Sequence, residues 1–146
     1  MALHRPAAER KKVTGMAKAH HTGINVALWI ITVLIAVLFF VAGGAKIGGW
    51  LDHRVVAWGY SPGFAVVVGV LEVVFAIALL LERSAAWAAY GLMAIMLGAF
   101  ATHLTHGEYA LSIVPIVLFG LLGFVAWGRG AERSRRIDIA LGATAM

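Results

Sequence analysis

The chain has 146 residues, 62% of them hydrophobic and only 13% charged, and a mean hydropathy of +0.90. A water-soluble domain covers its surface with about 25% charged residues, so this composition excludes an ordinary soluble domain and makes lipid the expected solvent. The formal net charge of +5 argues against nucleic-acid binding, because the charges flank apolar runs as juxtamembrane anchors do and form no basic face on an ordered module. With no cysteine in the chain, disulfides, thiolate metal sites and dithiol relays are excluded within it.

Residues 1–23 are polar and basic, carrying Arg5, Arg10, Lys11, Lys12 and Lys18. This lead is too long for a cleavable signal peptide, and the apolar run behind it lacks a small-x-small exit. The lead is expected to end in a short interfacial helix that holds His20 and His21 among the headgroups. The first span is read over 24–45, where only Asn25 and Thr32 are polar; twenty-two helical residues reach roughly 33 Å, enough for a hydrocarbon core of about 30 Å. The loop 46–62 carries Trp50, Trp58 and Tyr60, rings that favour the membrane interface. Ser61-Pro62-Gly63 then marks a helix start, with proline where its missing N–H costs nothing, and the second span is read over 63–81. The short Glu82-Arg83-Ser84 link makes a tight hairpin with the third span, 85–104. A loop with His106 and Gly107 leads to the fourth span, 109–127, in which Pro115 is expected to kink the helix and free the carbonyl of Leu111. Residues 130–146 form a basic tail.

The fold class is therefore all-α: a polytopic membrane protein, an antiparallel four-helix bundle over 24–129. Five basic residues before the first span, Arg83 in the hairpin and Arg129, Arg133, Arg135 and Arg136 at the end make ten on one side, against Lys46 and Arg54 on the other. The positive-inside rule then puts both termini in the cytoplasm. No run has a polar face, which excludes a soluble helical core.

Lipid offers no hydrophobic drive between helices, so small residues must permit close contact. Ala42 to Ala45 end the first span in small residues; Ala65, Gly69, Glu72 and Ala76 share a stripe on the second. Gly91, Ala94, Gly98 and Ala101 do so on the third, and Gly120 and Gly123 lie on the fourth. These stripes are read as bundle interior.

Glu72 is the first candidate for chemistry. It lies nine positions beyond Gly63, roughly 13 Å below the outer surface, where an unpaired carboxylate costs about 3 kcal/mol. It reads either as a proton-handling or ligand-anchoring acid facing a cavity, or as a carboxyl that only fixes packing. Lys46, His103 and Thr102 lie toward the same half. A direct Lys46–Glu72 pair requires a tilted or recessed first span, or water between the two; otherwise Lys46 snorkels to the interface. His103 and His106, spaced i, i+3, are weak candidates for metal ligation, with Glu108 or His53 from the loops, and no metal centre is expected. Only His103 approaches the depth that a haem or chlorophyll ligand would want. No Ser/His/Asp set, phosphate cradle or dinucleotide fingerprint is present, so no independent catalytic activity is expected.

Ala42-Gly43-Gly44-Ala45-Lys46, Gly59-Tyr60-Ser61-Pro62 and Gly69-Val70-Leu71-Glu72 resemble, in order and spacing, the DoxX-like family. Tyr90-Gly91-Leu92, Met96-Leu97-Gly98-Ala99, Thr102-His103-Leu104, Gly107-Glu108 and Ala126-Trp127-Gly128-Arg129 extend the resemblance over about 24–129. The resemblance implies a small four-helix protein of the bacterial cytoplasmic membrane, linked with quinone-coupled sulfur oxidation and membrane oxidoreductase complexes. It places Lys46, Glu72 and His103 in a shared pocket. The expected function is a redox-associated subunit that holds a quinone or other lipid near Glu72. One alternative is a structural subunit of a larger respiratory or photosynthetic complex, and another a proton-coupled small transporter. The expected partners are the bilayer and other membrane subunits or further copies of the chain.

Overall fold

A computed structural model describes the backbone of residues 7–144 and the side chains of 23–131 and 134. The expected placement of His20 and His21, and the side chains of the basic residues before 23 and at 133, 135 and 136, lie outside the described residues. The elements are α1 (Ala7–Ile47), α2 (Asp52–Ala57), α3 (Pro62–Leu79), α4 (Ala85–Thr105) and α5 (Ile113–Thr144). Residues 1–30 and 31–146 form separate compact units, and the packing and the cavity described below belong to the second.

Among the described residues, four stretches are long and apolar enough to cross a membrane: Gly23–Ile47, Pro62–Leu79, Ala85–Thr105 and Ile113–Ala131. The chain is thus a multi-pass membrane protein, all helical over the described residues. Ile35, Ala36 and Phe39 of α1, Ala76 and Leu79 of α3, Leu92 and Met96 of α4, and Leu122 and Val125 of α5 make one buried core. Their outward neighbours, such as Leu34, Val67, Leu97 and Val117, are exposed, as lipid-facing side chains should be.

The start of α3 has a local cause. Ser61 sits in extended conformation before α3; its hydroxyl accepts the amide of Phe64 at 3.2 Å, and Pro62 follows at the first helical position. This satisfies one of the helix's orphan amides. The small-residue stripes divide into two kinds. Gly43 and Gly69 form the crossing of α1 and α3: a Cβ on Gly43 would lie 2.6 Å from the carbonyl oxygen of Gly69, and one on Gly69 would lie 2.7 Å from that of Gly43. Gly91 likewise receives the ring of Phe75. Around Gly98 and Gly120, by contrast, a Cβ would meet nothing within 4 Å, so these two are not the tight contacts expected of them.

The start of the fourth span differs from expectation. Tyr109 to Ser112 form turns: the amides of Leu111 and Ser112 bond the carbonyl of Glu108, and the Ser112 hydroxyl donates to the Tyr109 carbonyl at 2.7 Å. Helix α5 begins only at Ile113. Pro115 therefore lies in the first turn, where no partner is required of its missing N–H, and not mid-helix where it would force a kink. The Leu111 carbonyl is not freed either, since it accepts the amide of Val114 at 3.3 Å. At its other end α5 continues without a break to Thr144.

Candidate functional site

The close crossing at Gly43 and Gly69 sets the geometry of everything above it. One turn beyond Gly43, Lys46 leaves α1 against the backbone of α3; one turn beyond Gly69, Glu72 faces it. The Lys46 Nζ donates to Glu72 Oε2 at 2.6 Å. Glu72 is 2% exposed, while the lysine side chain keeps 21% of its surface open. The pair is therefore direct, and Lys46 turns inward instead of snorkelling outward. A carboxylate this deep is tolerable only with such a partner.

Above the pair lies a cavity of about 430 Å³, bounded by the end of α1, by α2 and its flanking loops, and by α3 and α4. Its wall is largely apolar, from Val55, Ala65, Val68, Ile95, Met96 and Ala99, with Trp58, Tyr60 and Phe64 adding aromatic faces. Its polar groups are Lys46, Glu72, Arg54, Tyr60, Thr102 and His103. All four residues singled out from sequence, Glu72, Lys46, His103 and Thr102, line this one space. Gly98 lines it as well, which explains why no neighbour meets its face.

Two helix endings set polar groups at the site, one in the cavity wall and one behind His103. Helix α2 ends with Gly59 at φ +82, the amide of Gly59 bonding the Val56 carbonyl and that of Tyr60 the Val55 carbonyl. Helix α4 ends the same way at Gly107, φ +71, with the amide of Gly107 on Leu104 and that of Glu108 on His103. In this motif only glycine takes the left-handed position without strain, and the residue after it is folded back onto the helix. Those residues are Tyr60 and Glu108.

Glu108 gathers two elements. Its Oε2 lies 2.7 Å from His103 Nδ1, and its Oε1 accepts from Arg54 Nη2 of α2 at 3.1 Å. Hydrogen bonding from the imidazole, seconded by Arg54, holds its carboxyl below the usual carboxylate range, so it is an anion at neutral pH and can only accept. The hydrogen between it and His103 is therefore on Nδ1. Trp58 packs edge-on to His103 with ring centroids 5.4 Å apart, and the Arg54 guanidinium stands 5.2 Å over the same indole. Across the cavity, Tyr60 and Thr102 are joined oxygen to oxygen at 3.2 Å, and the threonine's single hydrogen goes to the Gly98 carbonyl at 3.0 Å. The hydrogen between Tyr60 and Thr102 is thus the tyrosine's.

His106 stands apart. Its Nδ1 bonds the Thr102 carbonyl at 2.7 Å, and it is absent from the cavity wall, so the i, i+3 spacing does not turn it and His103 toward a common ligand. Among the described residues no group of three or more His, Cys, Asp and Glu side chains could hold a metal ion. His53 is exposed and does not join Glu108. Arg54, Trp58 and Tyr60 were legible as loop and interface residues only, and Glu108 only as a loop group near His103; the signal that could have found Tyr60 and Glu108 is the Gly59-Tyr60 and Gly107-Glu108 step after each helix end.

The sequence profile of the DoxX-like family matches residues 30–125, most of the chain and every polar residue of the cavity. The chain belongs to the DoxX-like family. No curated protein and no solved structure gives a match. Membership in the DoxX-like family accords with four membrane-crossing helices, and within this DoxX-like chain the cavity is the place where chemistry-bearing side chains meet.

Proposed function

We propose that this DoxX-like chain is a small redox-associated membrane subunit whose cavity holds a quinone or similar ring-bearing lipid, with the ring against the Lys46–Glu72 pair. The observation that carries this reading is an apolar and aromatic cavity lined by a direct Lys46–Glu72 ion pair whose carboxylate is 2% exposed. A volume of about 430 Å³ lies within the range of about 300–1,000 Å³ usual for small-molecule sites. It suits a substituted ring and the start of a tail, the remainder running along apolar helix faces. Of the three hydrogens on the Lys46 ammonium, one is used by Glu72, and two are left for a ring oxygen. Because the chain has no cysteine and hence no dithiol of its own, electrons would pass through a partner subunit, with this chain presenting the ring. On this reading it resides in the bacterial cytoplasmic membrane, with both termini and ten of its 12 Lys and Arg residues on the cytoplasmic side.

The test is a titration of delipidated protein in mild detergent with a short-chain ubiquinone analogue, followed by tryptophan fluorescence, with Trp58→Phe as the control for the reporting ring. Saturable quenching is expected, together with a loss of at least tenfold in affinity, about 1.4 kcal/mol, in Glu72→Gln and in Lys46→Met. Unchanged affinity in both variants would overturn the reading. If, in addition, stoichiometric membrane partners were retained on native purification, the accessory-subunit role would replace it. Ligand flux into proteoliposomes, abolished in Glu72→Gln, would favour the transporter.

A further inference from the structure

Resting on the reading above, we propose that the cavity selects the reduced, hydroxyl-bearing form of its ring ligand, a neutral hydroquinone over the corresponding quinone, with His103 accepting the ring hydroxyl.

Two independent accounts of the wall lead there. The first is charge. Each cation at the cavity already has its own carboxylate: Lys46 has Glu72 at 2.6 Å, and Arg54 has Glu108 at 3.1 Å. An anionic headgroup would set a second negative charge beside the Glu72 carboxylate, which is 2% exposed, or beside that of Glu108, and like charges repel most strongly where water is excluded. A neutral ligand disturbs neither pair, so fatty acids and phosphate-bearing lipids are poor fits.

The second is the count of donors and acceptors. Tyr60 spends its hydrogen on Thr102, and Thr102 spends its own on Gly98. Neither hydroxyl has a hydrogen left for a ligand. His103 gives its Nδ1 hydrogen to Glu108, which fixes the tautomer, as a carboxylate does when it orients an imidazole. In the neutral ring Nε2 then carries a lone pair, and it has no hydrogen-bond partner among the described residues. Lys46 offers donors beside Glu72, while His103 offers an acceptor in the wall near Trp58. A hydroquinone presents an O–H to the imidazole and a hydroxyl oxygen to the ammonium. The quinone presents two acceptors, and its second oxygen would face a lone pair. A polar group left unmatched in a desolvated site forfeits the hydrogen bond and its own hydration. Arg54 and Glu108 act as positioning residues, since they touch the imidazole and not the ring. The preference is one of binding alone, and no electron is transferred.

The experiment uses the full chain in mild detergent, anaerobically at pH 8. A short-chain ubiquinol analogue, its oxidised quinone and its dimethyl ether are titrated separately. The hydroquinone is expected to bind at least tenfold more tightly than the quinone, and the dimethyl ether no better than the quinone. This comparison needs no variant and so does not depend on the folding of one. His103→Phe should abolish the preference; Glu108→Gln, which no longer dictates the tautomer, should reduce it. Equal binding of the two redox forms, or a preference that survives in His103→Phe, would overturn this inference and leave the ligand-holding reading standing. Failure of both forms to bind would overturn that reading and this inference with it.

Discussion

Gly69→Ala tests the crossing on which the site is built. A Cβ at position 69 would lie 2.7 Å from the Gly43 carbonyl oxygen, 2.9 Å from Lys46 Cβ and 3.1 Å from Ile47 Cγ1. Ordinary van der Waals contact begins at 3.4 Å, so α1 would have to retreat by roughly 0.7 Å at the carbonyl. The first two obstacles are a backbone oxygen and a Cβ, and neither can rotate away. Overpacking of this kind costs about 1–3 kcal/mol, against which alanine regains roughly 0.5–1 kcal/mol of helix propensity over glycine. A net destabilisation of about 1–2 kcal/mol is expected. Gly98→Ala supplies the contrast, because its Cβ meets nothing within 4 Å and only the propensity gain remains. Unfolding in mixed micelles with rising SDS fraction, followed by circular dichroism, should rank Gly69→Ala below the wild type and Gly98→Ala at or above it. If Gly69→Ala matched or exceeded Gly98→Ala, the two helices would not cross there, and the route that brings Lys46 to Glu72 would be wrong.

Two further outcomes follow from the outer loops and the charge distribution. Glu108 is held below the usual carboxyl value of 4.5 by His103 and Arg54, so its contribution to stability is complete above that value and is lost as pH falls through the lower folded one. Hydrogen exchange of residues 52–60, corrected for intrinsic rates, should stay protected from pH 7 to about pH 4.5 and open below it; Glu108→Gln should be open throughout, and an acid step that persisted in that variant would contradict the assignment. For orientation, the absence of cysteine makes single-cysteine reporters clean: Trp50→Cys, at a residue 78% exposed, should react with an impermeant maleimide on intact spheroplasts. Ser134→Cys should react only after permeabilisation, and the opposite pattern would invert the topology.

Four spans were legible because twenty-residue apolar runs admit little else, and Ser61-Pro62 announced its helix through cap chemistry. The fourth start was misplaced because Tyr109, Ala110 and Leu111 look apolar enough for a span. What stops the helix there is the pair of turns on the Glu108 carbonyl and the Ser112 hydroxyl, which hydropathy does not register. The prominence of Glu72 was also readable, since an acid inside an apolar run stands out. Its direct pairing with Lys46 was not, because the two lie at different depths in sequence terms and only the Gly43–Gly69 contact brings them level. The equal spacing of Gly69 and Gly98 concealed opposite surroundings, one pressed against a carbonyl and the other facing a cavity. Arg54, Tyr60 and Glu108 were hidden by their placement in loops, where polar residues need no explanation; the left-handed glycine before Tyr60 brings it onto the wall, and that before Glu108 brings the carboxylate against His103.

The 2.6 Å Lys46–Glu72 contact also bears on how the protein meets an electric field. Moving one elementary charge across a potential of 100 mV involves about 2.3 kcal/mol, and a lone lysine or glutamate well inside α3's span would feel a share of that force in every energised membrane. Together they form a dipole with no net charge. A steady potential can twist such a dipole but cannot drive it across, so the buried end of the cavity is insulated from voltage while the pair stays closed. A neutral ligand that slips in beside the pair without parting it therefore binds equally well in a charged and a discharged membrane.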